Sequence, residues 1–195
     1  MLTFLQRPIR VLAITTAAAV LFPTGVLAAN YKIDPGHSFV QFRIKHLGYS
    51  WLIGRFNDVQ GTMTWDEATP EASVIAVSVD PNSVDTNHAK RDKHLRSEDF
   101  LNISKHPAAS FKSTGYSGSA DAGTLSGELS IHGVTKTVSF PVTRIGQGDD
   151  PWGGYRVGFE GKLDITRADY DMTYNLGPQS AAMTLELYVE AIREK

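Results

Sequence analysis

Cysteine is missing from this 195-residue chain. Its absence excludes thiol nucleophiles, iron–sulfur clusters, cysteine-ligated zinc and covalently attached c-type haem, and it leaves stability to the core alone, without disulfides. An excess of either charge is also missing, since 19 Lys and Arg stand against 21 Asp and Glu. Mild acidity keeps the protein soluble and argues against nucleic acid or an anionic membrane as a partner. Long apolar runs are nearly absent. The one that exists, Val11 to Phe22, is 12 residues long, whereas crossing a bilayer takes ~20. It follows Arg7 and Arg10 and precedes Val26-Leu27-Ala28, the order of a secretory signal ending in a small-residue cleavage site. We therefore expect residues 1–28 to be a cleaved signal and residues 29–195 to form one domain with no stable membrane anchor. Without the signal's two arginines, 17 basic residues face 21 acidic ones over 167 positions, a net charge of −4. A chain of that length buries ~70% of its unfolded surface and needs no covalent staple.

What is present is alternation. Val40, Phe42, Ile44 and His46 share one parity against Gln41, Arg43 and Lys45, which predicts a half-buried strand. Gly48-Tyr49-Ser50 turns the chain, and Val59, Gly61, Met63 and Trp65 continue in phase. Phe56 falls on the other parity, so a bulge or bend is expected near Asn57-Asp58. Ile75, Val77 and Val79 mark a further strand, and Ala109 to Thr114 a short one centred on Phe111. Gly115 to Gly123 reads as a loop. Leu125, Gly127, Leu129 and Ile131 lead to a hairpin turn at His132-Gly133, from which Val138, Phe140 and Val142 return. Gly146 to Gly154 reads as a turn-dense loop, followed by Val157, Phe159, Gly161, Leu163 and Ile165 on one face. The last strand carries Met183, Leu185, Leu187, Val189 and Ala191.

One stretch breaks this rhythm. Between Asn87 and Leu101 there is no Pro, Gly or β-branched residue, which predicts one or two short helices, N-capped by Asp85, Thr86 or Asn87 and by Ser97, and stopped before Pro107. Lys90, Arg91, Lys93 and Arg96 alternate there with Asp92, Glu98 and Asp99, the pattern of a solvated surface. A phosphate-bearing head group is a second use for those cations.

About eight antiparallel strands, each with one apolar face, form a sandwich or a barrel. The polar second face on nearly every strand favours an eight-stranded antiparallel barrel with the helical insertion closing one end. Gly61, Gly127 and Gly161 fall on inward positions; they leave interior space or ease coiling at barrel corners.

Several segments together resemble the YceI family of bacterial lipocalin-like proteins: Tyr31-Lys32-Ile33-Asp34 with His37, Phe42 to Trp51, Ser83 to His88, Arg91 to Ser97, Asp99-Phe100-Leu101, His132 to Lys136 and Gly146 to Gly154. The resemblance spans essentially the whole mature chain. It implies a periplasmic location, an elongated eight-stranded barrel and an interior filled by a polyisoprenoid, an isoprenoid quinone or a fatty-acid-like lipid. No established enzymatic activity comes with it, and pairing as a homodimer stays open.

The ligand-binding candidates follow. A tunnel lined by Phe42, Ile44, Met63, Trp65, Val77 and Phe111 on the first strands, and by Leu129, Phe140, Phe159, Leu185 and Leu187 on the later ones, would hold an apolar chain with few polar contacts. Trp51 joins the set from the strand after the first turn, Leu95 and Phe100 cover the tunnel from the helix, and His46 and His94 supply polar contacts near the mouth. The six histidines are scattered, so no metal or other cofactor is expected. No G-x-S-x-G nucleophile motif occurs, and Asp149-Asp150 before Pro-Trp-Gly-Gly reads as a tight turn in preference to a calcium loop.

Overall fold

A computed structural model describes residues 28–195; the expected signal segment lies almost entirely outside them. Among the described residues no helix is long and apolar enough to cross a membrane. The strands are β1 (Ala29–Ile33), β2 (Phe39–His46), β3 (Ser50–Phe56), β4 (Val59–Trp65), β5 (Val74–Val79), β6 (Val84–Asp85), β7 (Ala109–Gly118), β8 (Ala122–Ile131), β9 (Val134–Asp149), β10 (Tyr155–Thr166) and β11 (Ala182–Arg193). One helix, α1 (Ala89–Leu95), sits between β6 and β7.

These 11 segments make eight staves. β1 and β2 run one after the other along β11, Ile33 opposite Ala191 and Phe39 opposite Tyr188. β4 and β3 follow them in the same way, and β5 and β6 follow those. β7, β8, β9 and β10 then pair in order back to β11, and the barrel closes. Every pairing in the ring is antiparallel, and successive staves are neighbours except where β11 closes on β1 and β2.

The three broken staves bend along one line. The Asp58 carbonyl accepts from Asp80 N at 3.0 Å, and the Ser83 hydroxyl accepts from Asp58 N at 3.0 Å. The bend expected at Asn57-Asp58 lies there. At the other hairpin, His132 (φ 52°) and Gly133 (φ 77°) form a two-residue turn with both residues left-handed, the geometry that matches strand twist.

Two expected loops begin as strand and turn only after it. β7 runs on to Gly118 and β9 on to Asp149. A register shift between Ser113 and Gly115, and another between Gly158 and Phe159, let these glycine-bearing strands coil without losing their pairing. Glycine there serves curvature, not termination. The interior glycines are closely approached by their neighbours. A Cβ on Gly127 would lie 2.5 Å from Phe111 Cζ, one on Gly161 3.2 Å from Phe140 Cε2, and one on Gly61 2.7 Å from Ile33 Cδ1. Side chains of neighbouring staves crowd these positions, and Gly161 still faces the free space together with Phe111, Phe140 and Ile33.

A candidate ligand-binding hollow beneath a helical lid

Inward parity on the eight staves places an apolar wall around a hollow of about 190 Å³. Met63, Trp65, Val77, Phe111, Leu129, Phe140, Phe159, Leu185 and Leu187 all line it, together with Ile33, Val40 and Ile75. Trp65 closes the far end, edge-on to Phe159 with ring centroids 4.9 Å apart and to Tyr116 at 6.1 Å. An apolar cavity of about 150 Å³ stays dry and takes up benzene or xenon. A larger one with a lining this apolar is equally unattractive to water and open to hydrocarbon.

A second hollow, about 340 Å³, follows toward the lidded end. Phe42, Ile44, His46, His94, Leu95 and Phe100 line it. Phe56, Leu101, Met172 and Met183 belong to both walls, so the two spaces abut. Phe56 reaches both because it stands at the bend between β3 and β4. Sequence parity places Met183 inward but could not single it out, and Met172, Tyr174 and Leu176 sit in a stretch with no periodicity to read.

Trp51 does not line either space. Its strand neighbour Leu52 lines the outer hollow, so Trp51 falls on the opposite face, half exposed and paired with Lys45 across the β2–β3 ladder. The Lys45 ammonium lies 4.1 Å, and the Arg43 guanidinium 4.9 Å, from the Trp51 ring centroid.

The lid is held by its charges. His88, with its Nδ1 accepting from Arg91 N at 3.2 Å, caps α1; Asp85, Thr86 and Asn87 do not, because Asn87 is left-handed at φ 60° and Thr86 is engaged elsewhere. Thr86 donates from both its backbone N and its hydroxyl to the Asp92 carboxylate. Arg91 donates to the Thr86 carbonyl at 2.6 Å, and Arg96 to the Asn82 and Val84 carbonyls at 2.7 Å each. The expected solvated charge run is therefore half mooring: Asp92 is buried, and Arg91 and Arg96 tie the helix to β6 and the turn before it. Beyond α1, His94 Nε2 meets Asp99 Oδ2 at 2.7 Å, and the His94, Phe100 and Tyr174 rings pack together over the mouth.

Arg167 holds the facing loop. Buried and without a carboxylate partner among the described residues, it donates to the Ser180, Met172 and Tyr174 carbonyls at 2.8, 3.1 and 3.1 Å. Burial lowers its pKa from the ordinary arginine value, and the three carbonyls supply the negative ends that a buried cation requires.

Asp34, His37 and Glu190 are the one group among the described residues whose ligand atoms could surround a cation. Arg156 already takes that place. Its Nη1 donates to Asp34 Oδ2 at 2.7 Å and to Glu190, and its Nε to Asp150 Oδ2 at 2.9 Å. Burial would raise the Asp34 pKa, but hydrogen bonds from His37, Arg156 and Gly36 outweigh it and hold the carboxyl at about 2. Asp150 is the tight turn expected, its Oδ1 accepting from Trp152 N at 2.9 Å and Gly154 N at 2.8 Å.

Known proteins place this architecture. The family model of the YceI-like domain matches residues 31–191. A UPF0312 protein of Pseudomonas aeruginosa is 52% identical over 188 residues, covering 95% of this chain and 98% of that protein. The crystal structure of the Campylobacter jejuni YceI protein superposes with a TM-score of 0.70 at 30% identity, covering 78% of this chain and 90% of the other. A domain from Saccharophagus degradans, described as polyisoprenoid-binding and implicated in plant cell wall breakdown, shares the fold with a TM-score of 0.64 at 18% identity, over 86% of this chain and 99% of that one.

Proposed function

This chain belongs to the YceI family, and from that premise we propose that it stores or carries a long apolar amphiphile, a polyisoprenoid or isoprenoid quinone, in the periplasm after export. The observation that carries the reading is the pair of abutting hollows along the barrel axis, walled by apolar side chains and covered at one end by a moored helix. A fatty-acid-like tail satisfies the same wall. Selection would act through width and length, because the deep hollow offers an incoming chain few polar contacts.

Magnitudes favour occupancy. At ~24 cal/mol per Å³ an unfilled cavity of 190 Å³ costs roughly 4–5 kcal/mol of native stability, and a hydrocarbon chain regains part of that while burying its own surface at ~25 cal/mol per Å². The fold of the polyisoprenoid-binding domain supports the same ligand class. Catalysis on such a lipid is the weaker reading. The His94–Asp99 pair, its obvious acid–base candidate, is explained as a staple between the end of α1 and the turn that follows.

Replacing Leu129, at mid-wall, by Trp tests the assignment. Leu129→Trp should fill the deep hollow, lower prenyl-chain affinity by at least about tenfold and keep the barrel's circular dichroism, at a stability cost of ~1–3 kcal/mol. Unchanged affinity in a folded variant contradicts the lining proposed.

A further inference from the structure

The outside of the barrel changes character around the mouth. At the β2–β3 hairpin Leu47, Tyr49, Trp51 and Ile53 are 54%, 86%, 48% and 60% exposed. They are contiguous along one hairpin rather than scattered, and a soluble surface rarely gathers four large apolar residues in seven positions without a use for them. Leu47 belongs to this tip and to the wall of the outer hollow as well, so the exposed patch runs straight into the mouth.

Charge is arranged in the same place. Residues 39–56 carry Arg43, Lys45 and Arg55 and no acid, and residues 86–97 carry Lys90, Arg91, Lys93 and Arg96 against Asp92 alone. Asp92 is turned inward onto Thr86. The neighbouring acids are Glu186, 3.6 Å from Arg43, Asp85, 3.6 Å from Arg55, Glu98 and Asp99 after the helix, and Asp169 and Asp171 on the facing loop, which also brings in Arg167 and, 4.0 Å from Asp169, Lys136. Even with all of them included, cations stay in excess at the mouth of a chain that is acidic overall. Because fields are screened within about 8 Å at physiological ionic strength, the local balance governs what docks there. The whole-chain charge, which argued against an anionic membrane, does not apply at this rim.

We propose that the mouth docks reversibly on an anionic phospholipid surface, with the β2–β3 hairpin seated among the head groups. Trp and Tyr beside Lys and Arg are the side chains that suit the boundary between head groups and hydrocarbon, one end apolar and the other wet. Lys45 and Arg43 against the Trp51 ring form that combination within a single contact. Polybasic segments next to an anionic leaflet add attraction that salt weakens. A second copy of the chain is a poor occupant, since a two-fold contact through this patch would bring two sets of Arg43, Lys45 and Arg55, with no acid from residues 39–56, into one interface. The inference rests on the carrier reading for its purpose: docking at the mouth lets an insoluble ligand pass between bilayer and hollow without crossing water.

Flotation of the purified protein with vesicles separates the cases, while native mass spectrometry on the same samples follows bound amphiphile. Vesicles of equal parts phosphatidylglycerol and phosphatidylcholine should retain the protein, pure phosphatidylcholine much less, and added salt should release it. The Tyr49→Ser/Ile53→Ser variant and the Lys90→Glu/Lys93→Glu variant, none of whose positions lines a hollow, should each lower the bound fraction about tenfold and keep the copurified amphiphile. Absence of wild-type retention on anionic vesicles overturns the proposal, as does retention of both variants at the wild-type level or a change in their oligomeric state in place of vesicle binding. Retention without any bound amphiphile would support docking and contradict the carrier reading, whereas bound amphiphile without retention would do the reverse.

Discussion

Trp51 and Trp65 show what decides a residue's role in this protein. Both are large and both begin or end a strand, yet one stacks on cations outside and the other closes the hollow inside. Trp65 could be placed from its parity with Met63. Placing Trp51 needed its strand neighbour Leu52, which lines the outer hollow and leaves Trp51 on the opposite face. Asp92 was harder still: nothing local distinguishes it from Glu98, and only the fold brings Thr86 against it. Asp34 is similar, since beside the local His37 it also binds Arg156, 122 positions away. Its depressed pKa makes a sign-definite prediction. The folded carboxyl sits at about 2 against an ordinary 3.8, so its stabilisation is full above pH 4 and fades as pH falls toward 2. The stability gap between wild type and Asp34→Asn should therefore be present at neutral pH and shrink through that window in urea melts. A gap that does not depend on pH would contradict the Arg156 network as drawn.

The helix α1 is the element whose existence was legible and whose attachment was not. The absence of breakers between Asn87 and Leu101 announces it, but the seven-residue helix is too short to stand by propensity alone. It persists because Asp92, Arg91 and Arg96 bind the chain before it. Asp92→Ala should cost about 2–3 kcal/mol, and amide exchange across residues 86–96 should accelerate ahead of the barrel strands. Exchange as slow as in the wild type would show that the lid is held by something else. Among the strands, alternation identifies each apolar face, whereas Gly115 and Gly146 read as loop and so place the ends of β7 and β9 too early. In a coiled barrel stave a glycine is compatible with continued pairing, and sequence spacing alone carries no record of curvature.

At the scale of the whole molecule, eight strands with an apolar face and a polar one favour a closed barrel, and the structure closes it. Interior space was the less legible property, because it depends on what neighbouring side chains do with the room. Of the glycines that could leave space or ease coiling, Gly61 and Gly127 are crowded by Ile33 and Phe111, while Gly161 faces the deep hollow. Charge behaves the same way: the total is acidic, the rim of the mouth is not. All of this serves one claim, that the barrel is built around an apolar guest. Native mass spectrometry of the protein purified from its own cells without detergent tests it most directly. The account predicts a discrete lipid adduct, released on collisional activation and replaced by an added polyprenyl chain; a bare polypeptide mass that takes up no such chain would contradict it.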